Sequence, residues 1–203
     1  TNLDSQSRRW FAAALTCYIL SLLGKATAIA LPIVLLILDI FPLRRLDGDP
    51  RTWWITPSRE ILREKLLFVL PAIPFALIAF LGQQHVYAIK SLETFGFESR
   101  VVQALFAAGF YIWKTIIPVN LSPLYEIPPD FSFWDPVVLS GAALATGFSV
   151  TVFVFRRRWP AGLASWIYSL AMLGPVLGLV STGPQLAADR YTYLSFLSWA
   201  VLA

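Results

Sequence analysis

The chain has 203 residues, of which 57% are hydrophobic and only 14% charged, with a formal net charge of +4. A water-soluble domain carries about a quarter of its residues as Asp, Glu, Lys or Arg, so this composition points to a polytopic membrane protein. It is expected to be all-α, a bundle of transmembrane helices, because lipid has no water to satisfy a strand edge. The one cysteine, Cys17, excludes an intrachain disulfide, and with the one histidine, His85, it cannot furnish the three or four N and S ligands of the usual zinc site. No basic stripe interleaved with aromatics marks a soluble domain, which argues against nucleic-acid binding.

Taken in chain order, seven apolar runs appear: 10–23, 26–42, 66–81, 101–118, 137–155, 161–180 and a last one opening near Leu194. Several are shorter than the ~20 residues a straight span needs, and flanking Arg and Trp side chains that snorkel to the interface can make up the length. Asp135 followed by Pro136 predicts a capped helix start, and Pro160 opens the next helix the same way. Gly174-Pro175 predicts a kink in that helix. The chain has no initiating Met and stops inside an apolar run, so residues 1–203 are expected to be one part of a multi-span membrane domain that continues on both sides.

Basic residues orient the runs. Eleven of the sixteen Lys and Arg residues fall at 8–9, 44–65 and 156–158, which the positive-inside rule assigns to the cytoplasm. The run 101–118 then has both ends outside. It is expected to be an in-plane or re-entrant helix, with Trp113 and Lys114 at headgroup level. An ordinary span, with a neighbouring span unrecognised, is the alternative.

In this scheme the polar residues collect on the outer face: Lys25 and Thr27; Gln83, Gln84 and His85; Lys114; the segment 118–130 with Tyr125 and Glu126; and "ADRY", with Asp189, Arg190 and Tyr191 leading to Tyr193. One reading is an anion site. Arg190, Lys25 and Lys114 would bind phosphate, Arg through a planar fork and Lys as a mobile point charge. A ligand with an apolar tail and a phosphate head suits a membrane cleft with cations at its rim. The other reading is plainer: Asp189 and Arg190 as an interfacial pair, Lys25 as an exposed turn residue, His85 as a polar loop residue, and the tyrosines as an aromatic belt. Asp47-Gly48-Asp49 mimics a metal-binding Asp-x-Asp. It lies in the basic loop opposite the other polar residues, and Asp-Gly followed by Asp-Pro is ordinary turn chemistry.

Three motifs stand in order: "LLGKATAIALPIVLLILDIFPLRR", "FYIWKTIIPVNLSPLYEIP" and "ADRYTYLSF". Together they resemble the bacterial membrane proteins with C-terminal tetratricopeptide repeats and the related TMTC protein O-mannosyltransferases, which are GT-C glycosyltransferases. The resemblance covers nearly the whole chain from Trp10. It implies transfer of a sugar, mannose in the TMTC relatives, from a polyprenyl-phosphate donor to a protein hydroxyl or another acceptor. The reaction would take place at the extracytoplasmic face, here of a bacterial inner membrane. The main catalytic carboxylate of such enzymes lies in the first outer loop, expected upstream of Thr1, and the repeats are expected beyond Ala203.

Within the chain, the resemblance implies Arg190, Lys25 and Lys114 as donor phosphate ligands. Asp189 and Glu126 are the catalytic candidates within the chain: Asp189 would orient Arg190 or bind the acceptor, and Glu126 is the fallback base. Tyr191, Tyr193, His85 and Tyr125 would line the sugar and acceptor cleft. No metal ligand set is expected, although a divalent cation is compatible with this chemistry. Two departures stand out: Leu194-Ser195 where relatives read Leu-Pro, and Lys25-Ala26 where animal members read Lys-Glu. The rival function is non-catalytic, a transporter or flippase component or a membrane anchor for a protein-interaction repeat domain. Such transporters place ionisable groups near the midplane rather than at one face.

Overall fold

The computed structural model describes residues 5–85, 96–126, 132, 134–178 and 185–202. It is mostly helical and divides into two compact units, Thr1–Gly82 and Gln83–Ala203.

In the first unit α1 covers Ser5–Gly24 and α2 Leu31–Ile40, and α3 runs from Thr56 to His85. The apolar run 26–42 is not one helix. It opens as a 3-10 turn, Ala26–Ala30, and only then becomes the ten-residue α2, with Pro in its first turn. At ~1.5 Å per residue, α2 is far too short to cross a bilayer. Helix α3 carries Pro71 and Pro74 inside it. The unit's core is aromatic: Phe68 of α3 meets Phe11 and Tyr18 of α1, each at 5.6 Å between ring centroids. Leu22 and Ala72 are buried beside them.

In the second unit α4 spans Phe97–Ile116, α5 Pro136–Val154 and α6 Pro160–Leu173, and the short α7 (Thr192–Ser195) and α8 (Leu197–Leu202) follow. Asp135 caps α5 as expected, its carboxylate accepting from Val137 N at 2.8 Å. Pro160 opens α6. Gly174-Pro175 does more than kink α6. The α-helix ends at Leu173 and a 3-10 turn takes over at Gly174–Val176, because Pro175 cannot donate the next helical hydrogen bond.

Helices α4 and α5 approach backbone to backbone: a Cβ on Gly109 would lie 1.9 Å from Gly141 O. Ala104, Ala107 and Ala108 of α4 and Ala145 of α5 share the core around that contact. Small residues allow such approach where apolar burial gives helices little reason to associate. Indole and hydroxyl groups add cross-links, Trp166 Nε1 to Ser149 Oγ and Trp199 Nε1 to Ser169 Oγ, both at 2.9 Å.

Two strands depart from the all-helical expectation. β1 (Tyr125–Glu126) pairs antiparallel with β2 (Gln185–Ala187), Tyr125 opposite Ala187. Neither lies in a long apolar helix, so the objection to open strand edges in lipid does not apply to them.

Of the seven runs, two give helices long and apolar enough to cross a membrane among the described residues: 25 residues over Ser58–Gly82 and 22 over Pro136–Arg157. Only 11% and 17% of their most apolar windows are buried. The core helix of a soluble protein would be mostly buried, so these exposed apolar surfaces favour membrane association.

Candidate functional site

Helix α4 stops where Pro118 follows Ile117, since the residue before a proline is pushed out of the helical region. Asn120 then takes a left-handed conformation, φ 49°, which Asn tolerates better than most residues. Lys114, in the last turn of α4, closes this end. Its Nζ donates to Val119 O at 2.6 Å and to Asn120 O at 3.0 Å. The same ammonium lies 5.5 Å from the Phe110 ring centroid and 5.2 Å from that of Tyr125.

The chain next turns at Ser122, whose Oγ donates to Leu124 O at 2.8 Å, and enters β1. Across from β1, β2 leads into Ala188 and a 3-10 turn over Asp189–Tyr191. Ala187 and Ala188 are buried because they pass over Tyr111. Tyr111, itself fully buried, accepts from Ala188 N at 3.1 Å through its hydroxyl oxygen. Burial pushes this phenol up to about 12, against a smaller lowering from the Ala188 amide.

Asp189 turns inward. Its Oδ2 accepts from Ser122 N at 2.6 Å and lies 2.8 Å from Tyr125 Oη. Tyr125 Oη also lies 2.7 Å from Asn120 O, so its proton is shared between two acceptors. Arg190 turns outward and is exposed. Its guanidinium reaches Pro123 O at 3.4 Å and Tyr191 Oη at 3.2 Å, both long for N–H···O. It also lies 5.1 Å from the Tyr191 ring centroid.

Asp189 and Arg190 border an open cleft of about 460 Å³. Lys114, Asp189 and Arg190 supply its charge, and Pro118, Leu121, Tyr193 and Phe196 its apolar wall. Among the described residues no carboxylate lies within ion-pair distance of Arg190 or Lys114; the ion pairs found all involve Asp39, Arg45, Glu64 and Lys65 of the first unit. Chemically, the cleft offers two cations and one carboxylate, held by neutral donors, beside an apolar wall.

Of the predicted residues, the structure brings Lys114, Tyr125, Asp189, Arg190, Tyr191 and Tyr193 to one locality. Lys25 belongs to the first unit, where it stands exposed and extended ahead of the 3-10 turn. The side chains of His85 and Glu126 lie outside the described residues. Asp49 caps the turn Pro50–Trp54, accepting from Arg51 N at 3.0 Å, and Asp47 O accepts from Trp53 Nε1 at 2.8 Å. That is the turn chemistry expected of Asp-Gly-Asp-Pro. Among the described residues no group of three His, Cys, Asp or Glu is placed to hold a metal ion.

Sequence reasoning passed over Tyr111 and Asp39. The signals were present: a tyrosine on the same face as Ala104, Ala107 and Ala108 needs a partner for its hydroxyl. A lone Asp inside "LLILDIFP" needs a cation. No family model, curated protein or solved structure matches the chain.

Proposed function

We propose that the chain is part of a GT-C-type membrane glycosyltransferase, and that the cleft beside Arg190 takes the phosphate and first isoprene units of a polyprenyl-phosphate sugar donor. One observation carries this: two cations, the Asp189 carboxylate and an apolar wall share an open cleft, and among the described residues neither cation is ion-paired, Asp189 being held by the Ser122 amide and the Tyr125 hydroxyl. An anion attached to a hydrocarbon chain complements both features.

In the reaction an acceptor hydroxyl, on a protein or another molecule, attacks the anomeric carbon as the bond to the phosphate oxygen breaks. The hydroxyl proton passes to a carboxylate, for which Glu126 is this chain's candidate, and the lipid phosphate leaves with the electron pair. Arg190 stabilises that developing charge. Tyr191 and Tyr193 border the sugar and acceptor in this reading. The domain is a multi-span bundle of a bacterial inner membrane, its cleft extracytoplasmic.

The test is sugar transfer from a purified polyprenyl-phosphate sugar by full-length protein, normalised to folded protein. Arg190→Ala and Arg190→Lys are both expected to lose roughly ten- to hundredfold in rate, since one ammonium cannot copy a bidentate fork. Near-normal transfer by both variants would leave Arg190 a membrane-surface anchor and remove the donor site.

A further inference from the structure

We infer that Asp189 is a positioning residue that sets Arg190 over the cleft, and not the base that receives the acceptor's proton. The inference rests on the donor-site reading of Arg190.

The geometry is specific. Asp189 Oδ2 takes its donors from Ser122 N and Tyr125 Oη, at 2.6 and 2.8 Å. Those two residues bracket Pro123-Leu124, and Pro123 O is where Arg190 Nη1 rests, at 3.4 Å. The main chain repeats the tie, Asp189 N donating to Ser122 O at 3.3 Å, and the strand pairing of Tyr125 with Ala187 closes it from the other side. Holding Ser122 and Tyr125 therefore fixes the carbonyl against which the guanidinium leans. Asp189 makes no ion pair with Arg190 among the described residues, so Arg190's charge stays available to a ligand.

The same geometry is wrong for a base. A general base must lie ~2.6–3.2 Å from the proton it takes, or one water away. Asp189 Oδ2 already holds two donors, and Oδ1 is shut off from solvent, with no hydrogen-bond partner among the described residues.

The experiment uses full-length protein in lipid nanodiscs, with a polyprenyl monophosphate as the binding probe. Hydrogen exchange at the Ser122 amide and sugar transfer are measured alongside. Asp189→Ala should weaken the probe roughly tenfold and Tyr125→Phe about threefold, the range of one or two hydrogen bonds. Asp189→Ala should add nothing in an Arg190→Ala background, because a residue acting through Arg190 is non-additive with it, whereas a general loss of structure would add. Ser122 exchange should accelerate in Asp189→Ala. Asp189→Asn keeps an acceptor oxygen and should retain transfer within a few fold.

Additivity with Arg190→Ala, unchanged Ser122 exchange, or transfer abolished in Asp189→Asn with probe binding intact would each overturn the inference. If Arg190→Ala itself keeps full affinity for the probe, the donor-site reading fails. Faster Ser122 exchange in Asp189→Ala would then still establish the tie between the two loops.

Discussion

Asp39 and Asp189 are both carboxylates at the edge of an apolar stretch, and the chain treats them in opposite ways. Asp39, at 1% exposure, meets cations: Arg45 Nη1 at 3.0 Å from Oδ1 and Lys65 Nζ at 2.6 Å from Oδ2. Arg45 is balanced in turn by Glu64 at 3.0 Å. Charge in this four-residue cluster is consumed internally. Asp189 meets only neutral donors, an amide and a phenol, and the cations near it rest on carbonyl oxygens and rings. Charge at Lys114, Asp189 and Arg190 is held in place but not ion-paired among the described residues. The difference separates a cluster that maintains the fold from one able to receive an anion. Opposite charges brought together satisfy each other, whereas cations braced by dipoles keep most of their field.

The largest effect should come from breaking the first arrangement. Asp39→Ala leaves Lys65 and Arg45 without their shared carboxylate, and Lys65 is only 13% exposed. Removing one member of a buried ion pair costs about 3–5 kcal/mol. Chemical unfolding of the full-length protein in detergent should show a loss of that order, and Asp189→Ala should show clearly less. Equal losses at the two positions would erase the distinction, since Asp189 would then be as much a fold-maintaining charge as Asp39.

What the sequence revealed follows the same division. Helix starts were legible at Asp135-Pro136 and Pro160 because capping and proline placement act within one turn. The "ADRY" segment and Lys114 were legible because charges beside apolar runs are costly and so conspicuous. The split of the run 26–42 was hidden, since Ala26–Ala30 is apolar and differs from a helix only in its hydrogen-bonding step. The pairing of Tyr125 with Ala187 joins residues about sixty positions apart, beyond the reach of any local pattern. The grip of Asp189 on Ser122 N was also unreadable, because a backbone amide carries no side-chain signature. Asp39 was readable and was overlooked among the more numerous charges that follow it.

A middle-sized effect is expected at Tyr111, which holds the second arrangement from below. Tyr111→Phe deletes the only acceptor found for the buried Ala188 N–H among the described residues. An unsatisfied buried amide costs about 1–3 kcal/mol. The wild-type phenol also has a pH signature. Its folded pKa, near 12, exceeds the ordinary 10.0, so the fold favours the neutral form. That contribution is complete below pH 10.0 and is lost as pH rises through about 12. Unfolding midpoints measured across that window should fall in wild type and lose this component in Tyr111→Phe. Parallel curves would show that the phenol ionises freely and that Ala188 is held by other means.

The smallest effect should be at Lys114, and it bears most directly on the comparison. The ammonium lines the cleft, yet two of its three protons are committed to Val119 O and Asn120 O. A cation in the last helical turn, bonded to carbonyls beyond it, also offsets the helix dipole, an effect of about 0.3–1 kcal/mol at half-exposed positions. Lys114→Met should therefore lower the unfolding free energy by about 1 kcal/mol. It should reduce affinity for a polyprenyl monophosphate by less than Arg190→Ala does. Lys114→Arg, which keeps the charge and can reach one carbonyl, should sit between wild type and Lys114→Met in stability. The opposite pattern, unchanged stability with affinity lost as fully as in Arg190→Ala, would make Lys114 a ligand-binding cation equal to Arg190. Its bonds to the 119–120 carbonyls would then be a resting position that it leaves when the anion arrives.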